Sequence, residues 1–185
     1  MFLLIMALFT STSNTAHSMN PFFTDYETPF QIPPLEDLKM EHYKPGFEQG
    51  MKENLDEIND ITANTEAATF ENTIVALERT GETLDKVADV FFNLLSSNTN
   101  DQMDSLVQEM SPKLSAHRDS ILLNKDLFHR VKSVYEKRKS LSLNPEQTRL
   151  IEETHKYFVR AGVQLDENSM ERLTEINQKL SSLSV

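Results

Sequence analysis

The sequence predicts an all-α body of antiparallel helices and helical hairpins, preceded by an extended strap rich in Pro and aromatic residues. Three observations carry that expectation. Gly accounts for only 4 of 185 residues, so the positive-φ turns that tight hairpins need are scarce. Leu, Met, Glu, Gln and Lys are plentiful, and these side chains lose little freedom on entering a helix. Strict polar–apolar alternation is rare, whereas apolar residues recur at three- and four-residue spacing over long stretches. The length suits one domain with a substantial core.

The first nine residues, MFLLIMALF, form an apolar run too short to span a bilayer as an ordinary helix. A polar stretch follows, and Ala16 and Ser18 give the small-x-small pattern of a signal-peptidase site before Met19. Residues 1–18 therefore read as a signal peptide that lacks the usual positive start, and export to a periplasm is expected. The alternative is a cytoplasmic chain beginning near Met19.

Residues 19–35 form the strap. Pro21, Pro29, Pro33 and Pro34 disfavour helix and favour polyproline-like backbone, which has almost no internal hydrogen bonding. Such a segment holds its place by burying side chains elsewhere. Phe22, Phe23, Tyr26 and Phe30 are accordingly expected to lie against the helical body.

A first long helix is expected from Glu41 to Ile61, with Pro45 in its first turn and Phe47, Met51, Leu55 and Ile58 inward. Thr69 suits the cap of a second helix carrying Phe70, Ile74 and Leu77, which Gly81 interrupts. Leu84, Val87, Ala88, Phe91, Leu94 and Leu95 continue an apolar face until the polar turn SSNTND. The next helix carries Met103, Leu106, Val107, Met110, Leu114 and Ile121, and Pro112 predicts a kink or break near Glu109 or Met110. Lys125 to Lys139 follows, with Phe128, Val131, Val134 and Tyr135 inward. NPEQ at 144–147 is a strong start signal: Asn144 as cap, Pro145 preorganised, Gln147 closing a capping box. That helix should end at Gly162. A last helix after Asp166 places Met170, Leu173, Ile176, Leu180 and Leu183 on one side. Its apolar side is intact up to the final residues, the pattern of a chain cut inside a larger body or of a docked terminal helix.

Net charge is −11, unevenly spread: residues 36–110 hold 17 acids and 5 bases, residues 111–185 hold 10 acids and 13 bases. The acidic half argues against a nucleic-acid surface. The basic run RVKSVYEKRK at 130–139 reads as a solvated helix face. With no Cys, disulfides, thiolate catalysis and Cys-ligated zinc are excluded.

The five His are His17, His42, His117, His129 and His155. No two are four apart and none precedes Glu, so the H-E-x-x-H arrangement that puts two imidazoles and a base on one helix face is absent. His117 and His155 fall beside apolar stripes and read as packed side chains, His42 as a local cap or packing group, and His129 as solvated. There is no G-x-S-x-G elbow or Gly-rich phosphate loop. Neighbouring acids such as Asp56 with Asp60, or Glu152 with Glu153, read as solvated helix surface. The residues alone thus give a helical body with no catalytic signature.

Several stretches in order nevertheless resemble one family. NPFF, then IPPLEDLKMEHYKPGFEQGM, TFENTIVALERTG, SPKLSAH and FVRAGVQLDENSMERLTEINQKLSSLS are similar to the N-terminal region of the thimet-oligopeptidase-like zinc peptidases, in particular the bacterial peptidyl-dipeptidase (Dcp) branch. The likeness runs from Asn20 to the end. It implies a large helical fold divided by a channel, whose zinc and H-E-x-x-H helix lie far downstream, and whose N-terminal helices cover one side of the channel. By that likeness Pro34, Glu41, His42, Pro45, Glu71, Asn72, Thr73 and Gly162 match recurrent positions with architectural roles, and none matches a metal ligand or catalytic residue. Residues 36–185 would then be the helical N-terminal region of a zinc-dependent peptidyl-dipeptidase or oligopeptidase, inactive alone. Its expected partners are the missing C-terminal catalytic part and, for the whole protein, short peptides, with zinc as the parent's cofactor. The competing reading is a standalone helical binding or scaffold protein derived from such a peptidase.

Overall fold

The computed structural model describes residues 20–183, and the expected signal peptide lies outside them. Among the described residues there are α-helices, one π-helical turn and short 3-10 turns, with no strand. Two 3-10 turns, Pro21–Phe23 and Pro29–Gln31, open the strap. The helices are α1 (Met40–Ala63), α2 (Ala76–Glu78, preceded directly by the π-turn Phe70–Val75), α3 (Glu82–Ser97), α4 (Asp101–Leu122), α5 (Lys125–Lys137), α6 (Pro145–Ala161) and α7 (Glu167–Leu183). The all-α expectation holds. None of these helices is long and apolar enough to cross a membrane.

Local chemistry sets the boundaries. Asn100, Asn124 and Asn144 each accept from backbone amides at the start of α4, α5 and α6. The NPEQ capping box forms: Gln147 N donates to Asn144 Oδ1 at 2.8 Å and Asn144 N to Gln147 Oε1 at 3.0 Å. Asp166 caps α7 through the Ser169 amide, at 3.0 Å. Gly81 (φ 88°) joins α2 to α3 and Gly162 (φ 100°) ends α6, both in the left-handed region that costs Gly nothing.

Pro45 departs from expectation, and Pro112 leaves its helix unbroken. Pro45 stands in the second turn of α1, which begins at Met40, so it removes an amide that would otherwise bond the Glu41 carbonyl. Pro112 breaks nothing: α4 is continuous from Asp101 to Leu122 and forgoes one interior hydrogen bond. Packing on both sides of α4 outweighs that local loss.

The core is in two parts. One gathers Phe22, Tyr43, Phe47, Val87, Val90, Phe91, Met103, Leu106, Val107 and Met110 from the strap, the start of α1, α3 and the start of α4. The other gathers Ile58, Ile61, Phe70, Ile74, Leu122, Leu127, Phe128, Val131, Val134, Ile151, Phe158 and Val163 from the end of α1, the π-turn, the end of α4, α5, α6 and the residues just beyond it. Helices α1 and α4 serve both. The buried stripe of α1 runs Tyr43, Phe47, Gly50, Asn54, Ile58, Ile61, one position round from the expected Met51 and Leu55, which are half-buried beside it. The cause is close approach to α3: a Cβ on Gly50 would stand 2.7 Å from the Leu84 Cα, and one on Gly46 2.8 Å from a Val87 methyl. Helix α7 packs chiefly on α4 and has no buried residue.

Of the strap's rings only Phe22 is a full anchor, 1% exposed and 5.4 Å from the Tyr43 ring. Tyr26 is half-buried, with the Lys86 ammonium 5.9 Å from its ring. Phe23 is 42% exposed, and Phe30 is 96% exposed with φ 60°, so the expected contact of Phe30 with the body is not made. Phe30 and Gln31 both take left-handed backbone.

Candidate functional site

The eight positions singled out from the sequence are not brought to one place. Pro34 closes a turn whose carbonyl accepts from Asp37 N at 2.9 Å. Glu41, His42 and Pro45 sit at the start of α1, where Lys39 N donates to His42 Nδ1 at 3.1 Å, the local capping role expected of that His. Glu71, Asn72 and Thr73 lie in the π-turn, and Gly162 ends α6.

Asn72 is the centre of a polar knot. Its Oδ1 accepts from Thr69 N (2.8 Å), Thr73 Oγ1 (3.0 Å) and Arg130 Nη2 (3.2 Å), and its Nδ2 donates to Ala67 O (3.0 Å). Arg130 also donates to the Asn64 and Glu66 carbonyls, at 2.7 and 3.2 Å. One guanidinium on α5 thus ties down the whole connector between α1 and the π-turn. Arg138, at the other end of the basic run, stacks on the Tyr135 ring (3.9 Å) and pairs with Glu152 at 3.2 Å. The reading of residues 130–139 as a solvated face fails for these two arginines, because planar guanidinium groups satisfy carbonyls and cover rings while remaining charged.

A second polar junction separates the two apolar clusters. His117 Nε2 lies 2.8 Å from Asn54 Oδ1, both residues being buried, and the His117 Nδ1 is buried without a partner. An amide oxygen only accepts, so Nε2 carries the proton. Burial pushes the His117 pKa below its ordinary value. Glu57, one turn along α1, accepts from Gly81 N at 2.7 Å. His155 lies flat on Tyr135, with ring centroids 3.9 Å apart, and burial with the neighbouring Lys132 and Arg138 charges lowers its pKa. His129 is exposed. Among the described residues no group of three His, Asp or Glu is placed to hold a metal ion.

A groove of about 1160 Å³ lies between α3, α4 and α7. Phe92, Leu95, Val107, Leu114 and Leu180 give it apolar walls, and Asp104, Arg118, Asp119 and Asn177 are among its polar side chains. Asp119 is 8% exposed, and both its carboxylate oxygens accept from Asn177 Nδ2, at 3.0 and 3.1 Å. Arg118 donates to the Tyr157 hydroxyl and stacks 5.3 Å from that ring. Sequence reasoning missed Asn54, Asp119 and Arg130. Asn54 was signalled by its place in the 43-47-50-54-58-61 stripe, and Asp119 by none, since a lone acid beside an apolar stripe is ordinarily solvated.

The fold and its polar junctions define a helical body, and comparison with known proteins finds that body similar to one part of certain bacterial peptidases. The chain is 36% identical over 167 residues, 90% of its length, to the dipeptidyl carboxypeptidase of Escherichia coli (strain K12), and 37% identical over 166 residues to that of Salmonella typhimurium. It is 20% identical over 156 residues to oligopeptidase A of Escherichia coli. The resemblance read from the sequence is therefore shown. The chain spans 24% of the length of each dipeptidyl carboxypeptidase and 23% of that oligopeptidase. No family model matches it.

Proposed function

We propose that this chain is the N-terminal, noncatalytic region of an exported zinc-dependent peptidyl-dipeptidase or closely related oligopeptidase, and that it covers one side of the channel through which short peptides reach the metal. Residues 19–35 act as a strap across a helical body formed by residues 36–185. The eight matched positions serve architecture, as the caps and turns made by His42, Asn72 and Gly162 suggest. The carrying observation is identity of 36–37% along nine-tenths of this chain to proteins about four times as long.

The described residues do not fit a zinc ion. His117 is engaged with Asn54, His42 with the Lys39 amide and His155 with Tyr135, so among the described residues no imidazole pair converges with a carboxylate. No hydrolytic step is assigned to this chain, and the metal belongs to the polypeptide beyond it. The test is hydrolysis of an N-blocked oligopeptide followed by mass. The continuous polypeptide should release C-terminal dipeptides, lose that activity on chelation and regain it with zinc. Residues 19–185 with added zinc should release nothing. Chelator-sensitive hydrolysis by residues 19–185 alone would overturn the reading.

A further inference from the structure

We propose that the Asn54–His117 pair is an acid-sensitive latch: when His117 takes up a proton, α1 and α4 part at that level and the two apolar clusters separate as intact units. The inference concerns the helical body itself and stands whether or not the polypeptide continues into a catalytic part.

Position is the first ground. Along α1 the buried residues pass from Phe47 of one cluster to Ile58 of the other, with Gly50 and Asn54 between them. Along α4 they pass from Met110 to Leu122, with His117 and Asp119 between. The pair thus stands where both shared helices leave one core and enter the next. Backbone near it is interrupted on two sides. Pro112, between Met110 and His117, removes one hydrogen bond from α4. Gly81, the joint between α2 and α3, lies against Asn54: a Cβ there would stand 3.1 Å from Asn54 Nδ2. Helices bend most easily where their hydrogen-bond ladder is broken.

The surroundings of the ring supply the second ground. Its Nε2 donates to Asn54 Oδ1 at 2.8 Å, and its Nδ1 is buried without a partner. A neutral ring fits this setting, because Nδ1 then carries only a lone pair. A protonated ring does not. Its second N–H and its charge would be enclosed with neither acceptor nor counter-charge, a state relieved by opening to water. The charged groups about the pair are committed elsewhere. On α1, Glu48 pairs with Lys113, Glu53 accepts from Gln49, and Glu57 accepts from the Gly81 amide. On α4, Lys113 also pairs with Glu109, Asp119 accepts from Asn177 of α7, and Arg118 donates to Tyr157 of α6. Arg160 of α6 and Glu171, Arg172, Glu175 and Lys179 of α7 are exposed.

The sign follows from linkage. Opening returns the ring to the ordinary imidazole pKa of about 6.5, whereas burial holds it lower in the closed form. Below about pH 6.5, each further pH unit therefore favours the opened form by up to about tenfold, until the closed-form pKa is passed.

The test is amide exchange of the full natural polypeptide, followed by mass at pH 7.5 and pH 5 and corrected for the intrinsic pH dependence of exchange. Protection of residues 51–58 and 113–121, which carry the pair, should fall at least about tenfold at the lower pH. Residues 87–91 and 127–134, at the centres of the two clusters, should change less than about threefold. His117→Gln keeps a donor for Asn54 and takes up no proton, so its two profiles should coincide. Asn54→Asp gives the protonated ring a counter-charge and should also abolish the loss. Unchanged protection of the wild-type segments overturns the latch, and so does an equal loss throughout both clusters. A selective loss that persists in His117→Gln assigns the opening to other groups and overturns it as well.

Discussion

Phe22 and Phe30 belong to one Pro-rich strap and meet opposite surroundings. Phe22 is enclosed by Tyr43 and the Gly46 backbone of α1, so Phe22→Ala should lower stability by roughly 3–5 kcal/mol in chemical denaturation. Phe30→Ala should change it by less than about 0.5 kcal/mol, since the ring touches little. The sequence told that aromatic anchors were needed, because a strap without internal hydrogen bonds must bury something. It could not tell which ring would serve, since that depends on Gly46 opening a gap on a helix distant in sequence. His117 gives a prediction of another kind. Its folded pKa lies below the unfolded value of about 6.5, so the unfolded chain binds more protons as pH falls. Stability is therefore full above about pH 6.5 and declines below it until the folded-state pKa is passed, by at most about 1.4 kcal/mol per pH unit. His117→Gln, which keeps a donor for Asn54, should show a smaller loss between about pH 7.5 and about pH 5 in thermal melts. An unchanged loss would assign the pH dependence to other groups.

Helices that sequence signals delimit well are those with a chemical start and stop. α6 has both: the Asn144–Gln147 box and Gly162. Asn144→Ala should cost about 1 kcal/mol in chemical denaturation, through the loss of its cap. Interior prolines end neither α1 nor α4, because propensity is local and tertiary packing is not. Pro112 stays helical within a helix gripped on two sides, by α1 and by α7. The face of α1 was displaced for a related reason: its buried stripe includes Gly50 and Asn54, which a hydrophobicity pattern passes over. Gly50→Ala gains about 1 kcal/mol of helix propensity. It also forces a methyl to 2.7 Å from the Leu84 Cα, and overpacking of that kind costs about 1–3 kcal/mol, more where backbone must shift. A net fall in melting temperature is expected. Arg130→Met should free the connector at residues 64–69, with a loss of roughly 1.5–3 kcal/mol and faster amide exchange there. If exchange in that connector is unaltered, the guanidinium does not hold it.

Across the whole molecule, two apolar clusters share α1 and α4 and are separated by the Asn54–His117 bond, while α7 contributes no buried residue. Composition and periodicity disclosed the all-helical class but not the division of the core, which follows from contacts between segments far apart in sequence. The candidate groove was legible only in part. The apolar side of α7 was visible as a spacing, whereas the buried Asp119 that gives the groove its chemistry was not. The family likeness was readable because several motifs recur in order, and its length mismatch is what turns a helical body without converging ligands into a proposed piece of a peptidase. That central claim is tested most directly by the mass of the natural polypeptide, detected in cell extracts with an antibody raised against residues 20–183. The length at which 167 residues make up 24% is about 700 residues, so a band close to four times the 21.2 kDa of this chain is predicted. A sole band at or just below 21.2 kDa would contradict it.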